Sequence, residues 1–309
     1  MAMIMLALLM LSAVALFCVR RNRETLLVLL LNAALVEFWM FMLIYIAKKG
    51  GIGTELETLL YGTHAVRVKL QYLMFTLDKL GYLLAIGRYL FPLAATGLAA
   101  YYCKRLKKTG RWIVMGISAL VTAVLLTVYA PGVFEAIITR SRGMMNVLVT
   151  GSLMAVCAQN VAALVLLTME YRDITMPFYK HKFIGQAVTV ISLMMLYMLY
   201  APQDPAQVYL FYRNEFISSS QGLWYLSPSF SLFNYTAVFV LVMVCTAAGI
   251  YVQLKYMKDT ITSDQNEIAI SRKFDAASKG ASVFVHSVKN QLLANRVLLK
   301  RMGAMMAQP

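Results

Sequence analysis

The sequence predicts an all-α protein, a polytopic bundle of about seven membrane-spanning helices continued into a long cytoplasmic helix. Of its 309 residues 60% are hydrophobic and 14% are charged, and the mean hydropathy is +0.67. A soluble domain of this size keeps more charge at its surface. Several windows carry almost no charge over about 20 residues, the length that crosses a hydrocarbon core. Residues 254–306 are instead polar and contain no proline, which is typical of a long helix outside the membrane.

Seven apolar segments follow one another before this tail and define a predicted transmembrane domain over residues 1–253. The spans are 2–19, 25–47, 81–102, 112–130, 146–169, 183–200 and 232–253. The first has neither a charged leading region nor a cleavage site, so we expect a retained span rather than a signal peptide. Segment 55–77 has apolar residues at helical spacing but also charges, which predicts an interfacial helix.

The distribution of positive charge predicts the orientation of these spans. Eleven Lys and Arg residues lie in the three brief connectors after spans one, three and five, whereas the alternate, longer connectors carry eight. Basic residues remain on the cytoplasmic side, so the N-terminus is predicted outside and the residues after 253 inside. Because the charge of +15 clusters beside spans, it indicates contact with a lipid membrane and no nucleic-acid partner.

Two ionisable residues fall inside predicted spans, Glu37 in the second and Arg88 in the third. An unpaired ion in lipid is costly, and the two lie at similar depth in consecutive antiparallel spans, so we expect them to form an ion pair. Two interpretations stay open. The pair either fixes helix packing, or it belongs to a sensing core with Asn32, Gln159 and Asn160.

The outer connector 201–231 is rich in aromatic residues around a few charges. It could form a lid over a ligand, but the general enrichment of Trp and Tyr at the headgroup level favours an aromatic belt. His64 and His181 have no partner pattern and are expected to be ordinary surface residues. The four cysteines form no close pair, and the sequence contains no metal-binding motif, so we expect neither a disulfide nor a metal site.

The cytoplasmic tail carries one apolar seam at heptad-like spacing. Its members are Ala281, Val285, Val288, Leu292, Leu299 and Met302. So polar a helix is marginal alone in water, and the seam predicts a coiled coil or four-helix bundle, hence a homodimer or a second helix. His286 flanks this seam, where its ring stays accessible, and neutral imidazole is a competent nucleophile near neutral pH.

Within the segment 284–292, residues 286–292 have the form H-x-x-K-N-x-L, and the segment resembles the phosphoacceptor box of bacterial sensor histidine kinases, which also makes residues 1–253 the sensor domain by resemblance. The resemblance implies that His286 is the phosphoacceptor, that Lys289 and Asn290 match the (K/R)-(N/T) pair of the box, and that Asn290 orients water for dephosphorylation. It further implies a homodimer in the bacterial inner (plasma) membrane with a cytoplasmic C-terminus. ATP and Mg²⁺ would be bound by a domain outside this chain, a response regulator would receive the phosphate, and the stimulus is unidentified.

Two residues depart from the family pattern. Ser287 stands where Glu or Asp usually activates the histidine, and Gln291 stands where proline is frequent. Residues 254–280 are expected to be a signalling linker and 281–309 a partial dimerisation and phosphotransfer helix. In the family, a second helix pairs with the phosphoacceptor helix and an ATP-binding domain follows. Neither is recognised in these 309 residues, so they are not expected to autophosphorylate alone. The alternative is a non-enzymatic polytopic receptor or transporter with a dimerising basic tail.

Overall fold

The computed structural model describes residues 2–19, 21–50, 53–140, 142–175, 177–210 and 232–306, and within these ranges it contains helices and no strands. There are eleven helices in the described ranges. They are α1 Ala2–Val19, α2 Arg23–Lys49, α3 Thr54–Tyr61, α4 His64–Gln71, α5 Leu77–Tyr102, α6 Lys108–Val128, α7 Pro131–Arg140, α8 Arg142–Asp173, α9 Pro177–Met198, α10 Ala206–Tyr209 and α11 Leu232–Met306. The predicted all-α class is confirmed.

Two compact units make up the chain, Met1–Lys255 and Tyr256–Pro309. The first holds α1 to α10 and the beginning of α11, and the second holds the rest of α11. The boundary falls close to residue 254, where the sequence changes from apolar to polar.

Five helices of the described chain are long and apolar enough to cross a membrane: α1, α2, α5, α6 and, within α8, Met144–Asp173. Helix α9 contributes a shorter apolar stretch, Phe183–Met198. Each of the seven predicted spans overlaps a helix, but the count of seven and the outward N-terminus stay predictions. The apolar helices support a membrane protein.

The single interfacial helix predicted over residues 55–77 is wrong, because two short helices occupy this stretch. Helix α3 ends at Gly62, whose φ of 82° lies in the region that favours glycine and whose N–H bonds to Thr58 O. Thr63 then begins α4 from an extended conformation. The positive φ at Gly62 turns the chain and interrupts the apolar face that the pattern had treated as continuous.

Helix α5 is the centre of the first unit and packs against α2, α6 and α8. The approach to α2 is close enough to require glycine at position 87. A Cβ built on Gly87 would lie 2.6 Å from the backbone N of Phe38 and 2.8 Å from its Cα. Small residues let helix backbones meet in this way inside membranes, where packing drives association.

The segment between α9 and the end of α10, residues 199–210, is called the connector below. Most of it is buried: Tyr200, Ala201, Gln203, Asp204, Ala206, Gln207, Val208 and Leu210. Irregular backbone is tolerated at membrane depth only where protein surrounds it. The first ten residues of the predicted outer connector 201–231 are thus mostly enclosed by the helices of the first unit. The aromatic belt or lid predicted further along falls on residues 211–231, outside the described chain.

Replacing Gly87 with alanine is expected to lower stability by about 1–3 kcal/mol, because the added methyl group meets backbone that cannot yield. Gly116, in α6, is the matched control, since nothing lies within 4 Å of a Cβ built there. Thermal unfolding of the purified chain in detergent measures both variants. Equal melting temperatures for Gly87→Ala and Gly116→Ala would contradict the close α2–α5 contact.

Candidate functional site

The described part of the first unit holds one fully buried ion pair, Arg88 of α5 with Asp204 of the connector. Arg88 Nη1 lies 2.6 Å from Asp204 Oδ2, and both side chains have 0% exposure. The guanidinium also donates from Nε to Ala201 O at 3.0 Å and from Nη1 to Tyr89 Oη at 3.0 Å. It is thus bonded to the connector at two points, one backbone oxygen and one carboxylate.

Asp204 accepts from several groups besides the guanidinium. Tyr129 Oη, just beyond α6, lies 2.8 Å from both carboxylate oxygens, and Ser152 Oγ of α8 lies 2.9 Å from Oδ2. The backbone N–H of Ala206 donates to Oδ1 at 2.9 Å. A buried charge is tolerated when it is paired and its remaining lone pairs are satisfied. This carboxylate meets both conditions and ties the connector to three helices.

The predicted ion pair of Arg88 with Glu37 is corrected by this geometry, because the partner of Arg88 is Asp204. Gly87 is the α5 residue that faces Phe38 of α2. The next residue is rotated by about 100° around the helix, so Arg88 is turned away from α2. Glu37 lies on α2 and is partly buried. Similar depth in neighbouring spans was not enough to predict contact.

The three amide residues grouped with this pair in the sequence do not join its hydrogen bonds in the described chain. Asn32 and Asn160 donate to carbonyls of their own helices, Val28 O and Val156 O. Gln159 donates from α8 to Ser118 O of α6 at 3.1 Å. All three are buried. Their bonds support helix geometry and the α6–α8 contact, and a sensing role for them stays a prediction.

A proline inside α5 creates a second link between this region and α9. Pro92 has no N–H, so it cannot make the helical bond to the carbonyl of Arg88. Tyr197 Oη of α9 donates to that carbonyl at 2.6 Å, and its ring stacks on Phe91 at 4.3 Å between centroids. Tyr197 lies just before the connector. Pro92 in an apolar span was the sequence signal that could have pointed to a compensating donor.

In the second unit, α11 carries His286 exposed, with Asn290 one turn further along the helix. Asn290 Nδ2 and His286 Nδ1 are 3.3 Å apart. The amide can also be rotated to present its oxygen to the same ring nitrogen. In that arrangement Nδ1 carries the proton and Nε2 keeps an unshared electron pair, on a residue that is exposed. The structure thus brings together two of the three predicted residues; Lys289 is exposed beside them.

The apolar seam beside His286 is exposed within the described chain. Val285, Leu292 and Leu299 have 64%, 64% and 69% of their surface accessible. A surface groove of about 470 Å³ follows it, lined by Phe284, Val285, Val288, Lys289, Leu292, Leu293 and Arg296. A helix with so much exposed apolar surface on one side is suited to association with another helix.

The other histidines are described in part. His64 of α4 is 70% exposed, as expected for a surface residue, but its Nδ1 lies 2.5 Å from Glu57 Oε1. Arg67 Nε lies 3.3 Å from the same oxygen. The side chain of His181 is outside the described part. No group of three or more His, Cys, Asp or Glu side chains in the described residues could hold a metal ion.

A search of protein-family models, curated proteins and solved structures finds no match for this chain.

Tyr197→Phe is expected to lower stability by about 1–3 kcal/mol, because it leaves the buried carbonyl of Arg88 without a donor. In a Pro92→Ala background the helix supplies its own N–H to that carbonyl, so the same substitution is expected to cost less. Thermal or denaturant unfolding of the four proteins gives the coupling between the two positions. Strict additivity would contradict the assignment of Tyr197 as the replacement donor.

Proposed function

We propose that this chain is the membrane sensor and phosphoacceptor portion of a bacterial sensor histidine kinase, with His286 as the phosphoacceptor. The observation that supports it best is the environment of His286: an exposed imidazole in contact with Asn290 beside an exposed apolar seam. The helix that carries it begins at Leu232, among the apolar residues of the last predicted span. A signal from the membrane would thus have a continuous helix to follow.

The contact with Asn290 suits the proposed chemistry. With its amide oxygen accepting from Nδ1–H, Asn290 holds the imidazole in the tautomer whose Nε2 can attack phosphorus. A bond then forms between Nε2 and the γ-phosphorus of ATP, and the bond to the ADP oxygen breaks. In the family an acidic residue at the position of Ser287 usually activates the histidine. In this proposal Asn290, whose amide lies 3.3 Å from Nδ1, fixes the tautomer of His286 after rotation of that amide. The orientation of water for dephosphorylation by Asn290 is a further part of the proposal.

Homodimerisation through the seam is part of the same proposal. Each buried Å² of apolar surface contributes roughly 25 cal/mol, so covering side chains as exposed as Val285, Leu292 and Leu299 stabilises a dimer. The groups flanking them, including His286, would stay accessible at the edge of the interface.

ATP and Mg²⁺ are assigned to a domain outside these residues. The described chain offers no cluster of His, Cys, Asp or Glu for a metal ion, and the sequence has no glycine-rich phosphate loop. The phosphate would pass from His286 to an aspartate of a response regulator. The proposed location is the bacterial inner (plasma) membrane, with the tail in the cytoplasm, and the stimulus is not assigned.

The alternative, a non-enzymatic polytopic receptor or transporter, draws support from the same seam, since a dimerising basic tail needs no phosphate chemistry. The gene sequence after residue 309 discriminates between the two. A second helix followed by ATP-binding motifs favours the kinase, and a stop codon favours the alternative.

His286→Gln in the full-length gene product is expected to abolish labelling by radioactive ATP in the presence of Mg²⁺, because amide nitrogen cannot replace the imidazole nucleophile. His64→Gln is the control and should label like the unaltered protein. The 309-residue chain alone should remain unlabelled. Undiminished labelling of the His286→Gln protein would overturn the proposed phosphoacceptor.

Substitutions at Asn290 test the tautomer argument. Asn290→Ala is expected to slow the initial rate of labelling by about tenfold, since losing a hydrogen bond that contributes about 1.4 kcal/mol changes a rate by that factor. Asn290→Asp should retain most of the rate, because a carboxylate also accepts from Nδ1–H. The initial rates at saturating ATP decide the matter. Equal rates for the alanine variant and the unaltered protein would contradict this role.

A further inference from the structure

We propose that Arg88, Tyr129 and Ser152 form a binding pocket for a small carboxylate, which the connector's own Asp204 occupies as an internal ligand. The proposal concerns the first unit alone and stands whether or not His286 is phosphorylated. Its starting point is that the donors and the acceptor come from different parts of the fold. The donors lie on α5, at the end of α6 and on α8, whereas the carboxylate arrives on the irregular connector.

The donor set has the composition of a carboxylate site. A guanidinium N–H at 2.6 Å, a phenol at 2.8 Å and a hydroxyl at 2.9 Å converge on one carboxylate. Charge-assisted bonds of this kind are short and roughly twice as strong as neutral ones. Because all three donors belong to the helical bundle, they would remain as a set if the connector moved away.

Asp204 does not accept from all of the N–H groups of Arg88. Nη2 of the guanidinium is buried and has no hydrogen-bond partner among the described residues. Arginine usually grips a carboxylate with two parallel N–H groups. Asp204 presents only Oδ2 to Arg88, while its Oδ1 accepts from the backbone N–H of Ala206 on its own connector. A free carboxylate carries no such tether and could take both Nη1 and Nη2.

The surroundings limit the size of the ligand. The rings of Tyr89 and Tyr129 lie 5.4 Å apart between centroids, and both are fully buried with Arg88. The side chain of Asp204 fills the space beside these rings with one methylene and one carboxylate, so an acid with a similarly short apolar remainder matches the volume that Asp204 would leave. A large polar molecule would lose hydration without finding partners. The ligand class is therefore a small monocarboxylate. Its binding and the inserted position of Asp204 exclude each other.

Chemical rescue tests the pocket with acetate as the probe. Asp204→Ala removes the internal carboxylate and leaves Arg88 without its counter-ion, so the melting temperature of the purified chain should fall. Sodium acetate should raise it again in a concentration-dependent manner. Equimolar acetamide, which has a similar shape and no charge, and sodium chloride should not. The double variant Arg88→Met, Asp204→Ala should show no response specific to acetate.

Equal effects of acetate and acetamide on Asp204→Ala, or an equal acetate response in the double variant, would overturn the proposal. If Asp204→Ala does not fold, the proposal is tested with Gln203→Cys in the otherwise unaltered chain, by measuring how fast maleimide labels position 203. Gln203 is 4% exposed on the connector. Acetate should accelerate maleimide labelling at position 203 by about fivefold or more over equimolar acetamide, a typical size for coupled equilibria. Identical labelling rates in the two solutions would refute the competition.

Discussion

The contact between Arg88 and Asp204 determines how the first unit is put together. Moving two charges out of water costs several kcal/mol per ion, and only good geometry with further hydrogen bonds offsets that cost. Here the pair is satisfied by Tyr129, Ser152 and the backbone of Ala206. These bonds join α5, α6 and α8 to a connector that hydropathy alone would leave outside the bundle.

Around this pair the packing of α5 follows from two residues with opposite properties. Gly87 has no side chain, so α5 and α2 can touch there. The next residue, Arg88, is about 100° further around the helix and therefore points away from α2, where it meets the connector. Pro92 removes a hydrogen-bond donor, and Tyr197 of α9 supplies one in its place. Helix α5 thus contacts α2 through Gly87, the connector through the Arg88 guanidinium, and α9 through the Arg88 carbonyl.

The long helices could be predicted because a run of about 20 apolar residues can be seen directly in the sequence. Each predicted span overlaps a helix. Arg88 could be singled out because a charge in a span is rare. Its partner could not, because Asp204 lies in a segment whose turns and polar residues look like an exposed loop. The interruption between α3 and α4 at Gly62 was not predicted, because a glycine within an amphipathic pattern does not by itself indicate a positive φ. His286 and Asn290 were found together, since a spacing of four residues on one helix determines contact.

Near the end of the first unit, a hydrogen bond between side chains of the described residues joins α11 to α1. Ser12 Oγ of α1 donates to Gln253 Oε1 of α11 at 2.5 Å, and Gln253 is 3% exposed. A few residues later the second unit begins.

The most direct test of this account is a double-mutant cycle on Arg88 and Asp204, with the exposed pair Arg105–Asp173, whose N–O distance is 3.3 Å, as the matched reference. Arg88→Met, Asp204→Leu and the combined variant are compared by reversible unfolding in detergent. We expect a coupling free energy of about 1–3 kcal/mol for the buried pair and less than about 1 kcal/mol for the exposed pair. Additive effects at Arg88 and Asp204 would show that this contact does not hold the connector in the bundle.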